Sequence, residues 1–221
     1  MTGKGVPTTQ PPDAGVSLIE VLVAMGLFSL LGTLLLGLAL STSQVTDDVR
    51  TLTNVNEESR MAMERVTREL RQARQITDVR LPTSSTDTTA ITFWTDFNAN
   101  DAKDLNAADP EVLTYRWNPV TSRLTLTVND ASGTATTRPV LAATVSNFTL
   151  RLRSSQWQHD ADGSGETTWQ ELDAVAAGGN GNGAPDDTEL DHLDLIGLEL
   201  TVLDGARAQT YSTRVDLRNR N

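Results

Sequence analysis

One twelve-residue run carries the oxygen chemistry of a hard-cation site. In Asp160-Ala-Asp162-Gly-Ser164-Gly165-Glu166-Thr-Thr-Trp-Gln-Glu171, side-chain oxygens fall at positions 1, 3 and 5 and a glycine at 6. Glu166 stands at position 7, which offers a backbone carbonyl, and Glu171 at position 12, which can bind bidentately. Calcium takes roughly six to eight oxygen ligands, and a loop of this spacing wraps them round one ion. The expected cofactor is therefore Ca2+, held by Asp160, Asp162, Ser164, Glu166 and Glu171. Position 8 is Thr167, where the motif prefers an aliphatic residue, and the preceding stretch is strand-like. The loop is expected without a paired helix-loop-helix domain.

The run from Gly178 to Glu189 echoes the spacing, with Asn180, Asn182, Asp186 and Glu189 as weaker metal candidates and glycine at position 1. A third acidic-amide run, Asp96-Phe-Asn98-Ala-Asn100-Asp101, reads as a solvated turn.

Residues 160–194 hold ten acidic side chains and no Lys or Arg, nearly the whole net charge of −11. Nucleic acid is excluded as a partner, because phosphate binding relies on clustered cations. The chain has no cysteine, which removes disulfides, thiolate metal sites and cysteine nucleophiles together. Its two histidines, His159 and His192, read as surface residues beside acidic clusters. No GxSxG elbow or HExxH helix accompanies them, so the sequence reads as a non-enzyme.

A different carboxylate, Glu20, is the single charge in the 25-residue apolar run from Val16 to Leu40. That length of helix crosses a ~30 Å hydrocarbon core. A carboxylate inside it costs roughly 2.5–3.5 kcal/mol on insertion scales, which marks Glu20 as functional. The polar, Pro- and Gly-rich leader MTGKGVPTTQPPDAG precedes the apolar run, the inverse of a secretory signal peptide.

Gly15-Val16-Ser17-Leu18-Ile19-Glu20 followed by an apolar helix resembles the processing site of type IV prepilins and type II secretion pseudopilins. The resemblance implies cleavage by prepilin peptidase between Gly15 and Val16, N-methylation of Val16, and a role for Glu20 in assembly. It implies other pilins or pseudopilins as partners in a helical filament, and a single-pass cytoplasmic (inner) membrane location with the head outside. After assembly the location becomes a cell-surface pilus or pseudopilus. Val16 stands where the family usually has phenylalanine, and Lys4 is the leader's one basic residue. The segment from Asn56 to Arg74 is similar to J-type minor pseudopilins and W-type minor pilins. The rival reading is a single-span membrane-tethered, calcium-dependent surface enzyme or adhesin.

These residues need a stem and a head to hold them. After Ser41, apolar residues recur mostly at steps of three and four, at Val45, Val49, Leu52, Val55, Ala62, Val66, Leu70 and Ala73. The spacing predicts an amphipathic helix running to about Thr77, with Leu81-Pro82 as its stop. Its arginines (Arg60, Arg65, Arg68, Arg71, Arg74) read as a balance for the acidic head. Seven β-type runs follow between Ala90 and Leu217, with alternation clearest in Leu124–Val128 and Phe148–Leu152 and a hairpin loop at Asn129–Gly133. The expected fold is α+β and type IV pilin-like, a long N-terminal helix packed on an antiparallel β-sheet head. The expected divisions are leader 1–15, transmembrane or filament-core helix 16–40, amphipathic helix 41–80 and β-rich head 81–221.

Overall fold

A computed structural model describes residues 15, 17–104, 110–129, 132–154, 160–205 and 207–217. The leader before Gly15, Val16, residues 130–131 of the expected hairpin loop and His159 lie outside them. Two compact units divide the chain, residues 1–50 and 51–221. Helix α1 (Leu18–Arg71) contributes to both.

Within the first unit, α1 is apolar all round from Leu18 to Leu40. Leu18, Leu22, Phe28, Leu35 and Leu38 are exposed along with their neighbours, and α1 has the length and composition to cross a membrane. Its hydroxyl side chains turn inward on the backbone: Ser29 Oγ donates to the Gly26 carbonyl and Thr33 Oγ1 to that of Leu30, both at 2.9 Å.

In the second unit α1 becomes amphipathic. Ala62, Met63, Val66 and Leu70 are buried against a head of two antiparallel sheets. The first sheet has the order β1 (Gln75–Arg80), β2 (Thr89–Trp94), β3 (Val112–Asn118), β4 (Arg123–Asn129) and β5 (Ala135–Pro139). The second is β6 (Thr144–Arg153), β7 (Leu195–Asp204) and β8 (Arg207–Asp216). Phe93, Tyr115 and Leu126 of the first sheet and Phe148, Ile196 and Leu200 of the second share one core with Val66 and Leu70 of α1. This is the expected α+β architecture, a long N-terminal helix followed by antiparallel sheets.

Two expectations are corrected. The single expected sheet is two sheets. The helix also ends at Arg71, short of Thr77 and of the expected boundary at 80, and Gln75–Arg80 is strand β1. Two i→i−3 bonds, Gln72 N to Glu69 O and Ala73 N to Leu70 O, tighten its last turn, and Arg74 N then donates to Trp94 O. The β-branched Ile76, Thr77 and Val79 favour the pleat, and pairing of β1 with β2 buries Ile76 and Val79.

Candidate functional site

At the start of α1, Gly15 and Glu20 are exposed, while Val16 lies outside the described residues. Glu20 N donates to Ser17 Oγ at 3.2 Å and to Ser17 O at 3.0 Å, so Ser17 opens the helix. Glu20 sits in the first turn, where the helix dipole favours a negative charge. Ser17 escaped the sequence reading as a structural residue, although Ser-x-x-Glu before an apolar run is the signature of such a start.

The insertion between β6 and β7 contains α2 (Trp169–Asp173), a 3-10 turn (Val175–Ala177) and α3 (Asp187–Leu190). Buried Leu172, Leu190 and Leu193 fasten it to the core. Within it, Asp160, Asp162 and Glu171 each bring a carboxylate oxygen within 4.8 Å of the others. Asp160 accepts the Ser164 amide at 2.7 Å and the Gly165 amide at 2.6 Å. Asp162 also accepts the Ser164 amide, at 2.9 Å, which holds its carboxyl below the usual carboxylate range. Glu171 accepts the Ala161 amide at 2.9 Å and that of Thr168 at 2.8 Å, closing a capping box on α2. The Glu166 carboxylate instead takes Arg151 Nη1 at 2.6 Å, so position 7 turns its side chain away from the cluster. Thr167 N donates to Leu152 O at 2.9 Å, and the loop borrows β6 as the neighbour that a second loop would otherwise supply.

The run 178–189 repeats this scheme with one residue from outside it. The first-position role, absent at Gly178, falls to Asp173, whose two oxygens accept the Asn182 and Gly183 amides, each at 3.0 Å. Asn180 Oδ1 accepts the Asn182 amide at 2.9 Å, and Glu189 accepts those of Asn180 and Asp186, both at 3.3 Å. Asp186 caps α3, and its bond from the Thr188 hydroxyl chiefly lowers its pKa. It also accepts the side-chain amide of Asn180. Asp173 is 8% exposed and Glu189 2%, and among the described residues neither forms an ion pair with a cation. Sequence reading missed Asp173 because it precedes the motif by several residues.

The third run, expected as a solvated turn, instead buries its first carboxylate, and it again has the same bonds: Asp96, its side chain 3% exposed, accepts the amides of Asn100 at 3.1 Å and Asp101 at 3.2 Å. Buried Glu111 closes it, accepting from Trp94 Nε1 at 3.1 Å and from the Asp104 amide at 3.0 Å. Here a cation is built in. Arg74 pairs with Asp96 at 3.4 Å and with Asp101, and lies 5.8 Å over the Trp94 ring.

The first two loops thus present carboxylate and amide oxygens held by neutral backbone donors, the donor set that a hard divalent cation takes. In comparisons with known proteins, residues 11–36 match the family model for the prokaryotic N-terminal methylation motif. No curated protein and no solved structure matches the chain.

Proposed function

We propose that the chain is a minor pilin or pseudopilin, cut by prepilin peptidase between Gly15 and Val16, methylated on Val16, and assembled with other pilins into a type IV pilus or type II secretion pseudopilus. The observation that carries this reading is the methylation-motif match over residues 11–36, which takes in Gly15, Val16 and Glu20. The exposed apolar surface of α1 supports it, since such a surface needs lipid before assembly and neighbouring helices afterwards. Before assembly the head stays outside the cytoplasmic membrane. Glu20 of one subunit meets the new α-ammonium of a neighbour, each offsetting the other's desolvation.

The head is stabilised by calcium in this reading. Asp160, Asp162, Ser164, the Glu166 carbonyl and Glu171 hold one ion, and Asp173, Asn180, Asn182 and Glu189 hold a second. Asp96 and Asp101, already paired with Arg74, need none. Bound calcium supplies the positive charge that residues 160–194 lack.

Mass spectrometry of the N-terminus tests the assignment. The expected mature chain starts at Val16 with one added methyl group, and Gly15→Leu accumulates uncut, because a side chain there obstructs approach to the scissile carbonyl. Normal maturation of Gly15→Leu would overturn the prepilin reading.

A further inference from the structure

Among the head's sheet edges β8 stands apart. β5 ends in Pro139, β1 and β6 each carry a register shift, and β6 receives a backbone bond from Thr167 on its outer side. β8 pairs with β7 over ten residues without a shift. No described residue bonds to the backbone of its far side. Alternate N–H and C=O groups therefore point outward along a regular, proline-free strand, the form that accepts another strand.

Cations flank this edge on both sides. Toward α1, Ser212 and Thr213 share a groove of about 440 Å³ with Arg68 and Arg71, neither of which has an ion-pair partner among the described residues. On the outer face, Arg214 and Arg151 lie on either side of Gly197 in one register row, over a second cleft of about 400 Å³ whose wall also holds Glu199 and the Glu166 that pairs with Arg151, so Arg214 is the cation it offers at the β8 edge. Gly197 leaves that floor open, since a Cβ there would stand 3.3 Å from Arg151 Cβ.

We infer that β8 is a docking edge for an extended acidic segment of a partner protein, added as a fourth strand of the second sheet. A strand side by side with β8 sends successive side chains to opposite faces, so carboxylates on one face meet Arg68 and Arg71 and those on the other meet Arg214. A second copy of β8 is the poorer occupant, because it brings its own arginines to the same two flanks.

The test uses the full chain in detergent micelles and fluorescent eight-residue peptides alternating Glu with Val or Thr, read by anisotropy. The peptide carrying Glu at its alternate positions is expected to bind at least about tenfold more tightly than the same peptide with Lys at those positions. Backbone N-methylation on one set of alternate residues is expected to abolish binding, and on the other set to leave it intact, as an added strand bonds through every second N–H. Arg68→Glu with Arg71→Glu is expected to weaken binding about tenfold while leaving the circular dichroism spectrum unchanged. Equal binding of both N-methylated peptides would reduce the site to charge attraction and overturn the inference. So would failure of the acidic peptide to bind, or a concentration-dependent dimer that the unmethylated acidic peptide competes apart, which would make a second copy the occupant of β8.

Discussion

The carboxylate of Asp173 accepts the amide of Asn182 at 3.0 Å, so the helix that closes the first acidic loop supplies the opening residue of the second. Asp160 makes the equivalent bond to Ser164 at 2.7 Å. A ligand that binds only the folded state adds roughly 2.7 kcal/mol of stability at about 100 times its Kd. A domain of this size gains about 2–4 °C in Tm per kcal/mol. The chain in detergent is therefore expected to melt several degrees higher in millimolar calcium than in chelator. Asp160→Ala and Asp173→Ala are each expected to remove part of the difference, and the pair most of it. Identical melting with and without calcium would exclude both loops as stabilising sites.

Gly179 fixes how Asp173 reaches its partners. A Cβ there would lie 2.2 Å from Leu172 O and 2.3 Å from the Asp173 carbonyl carbon, both rigid backbone atoms. Gly179→Ala must push the second loop off α2, at about 1–3 kcal/mol for overpacking. Urea unfolding should register that loss, whereas Gly183→Ala strains a positive φ without meeting any atom within 4 Å.

In the core, the Tyr115 hydroxyl donates to Glu69, which also receives Arg65 Nε at 2.8 Å. Burial, then the Glu69 carboxylate, pushes the phenol well above its ordinary pKa. Tyr115→Phe deletes one hydrogen bond to a charged acceptor and is expected to cost about 1.5–3 kcal/mol in denaturant unfolding. A change below about 0.5 kcal/mol would mean that Arg65 alone satisfies Glu69.

Acid should loosen the loops. Asp87, held mainly by the Thr83 hydroxyl, joins Asp162 and Asp186 in having a lowered pKa. A carboxyl whose folded pKa lies below its unfolded value stabilises the fold above that unfolded value, near 3.9, and this stability is lost as the pH falls through the folded pKa. Tm in chelator is expected to fall from about pH 5 to pH 3. A flat profile across that window would contradict the lowered values.

Glu20→Ala should leave processing and membrane insertion intact yet impair incorporation into filaments. An ammonium left unpaired at a buried contact costs roughly 3–5 kcal/mol. Undiminished recovery of the variant in sheared filaments would remove Glu20 from assembly.

Much of this was legible in the sequence because it rests on local spacing. The apolar run with one glutamate, the strand alternation at Leu124–Val128 and the spacing that brings Asp160, Asp162 and Glu171 together are all short-range patterns. What escaped depends on residues brought together from a distance. Asp173 serves a motif it does not belong to, and Glu111 closes a turn that begins at Asp96. Ala73 and Ile76 keep a helical step, so periodicity alone carries the helix too far, and only pairing with β2 reveals Gln75–Arg80 as a strand. The division into two sheets likewise depends on partner choice, since each strand's alternation is compatible with either sheet.

The evenly apolar surface of α1 leaves its azimuth unspecified. From Leu18 to Leu40 the exposed side chains offer the same greasy contour at every angle of rotation, and the hydroxyls of Ser29 and Thr33 are turned back on their own helix. Spinning such a rod about its axis changes little in lipid. Glu20 alone breaks that symmetry, so one carboxylate sets both the local charge and the rotational bearing of the stem.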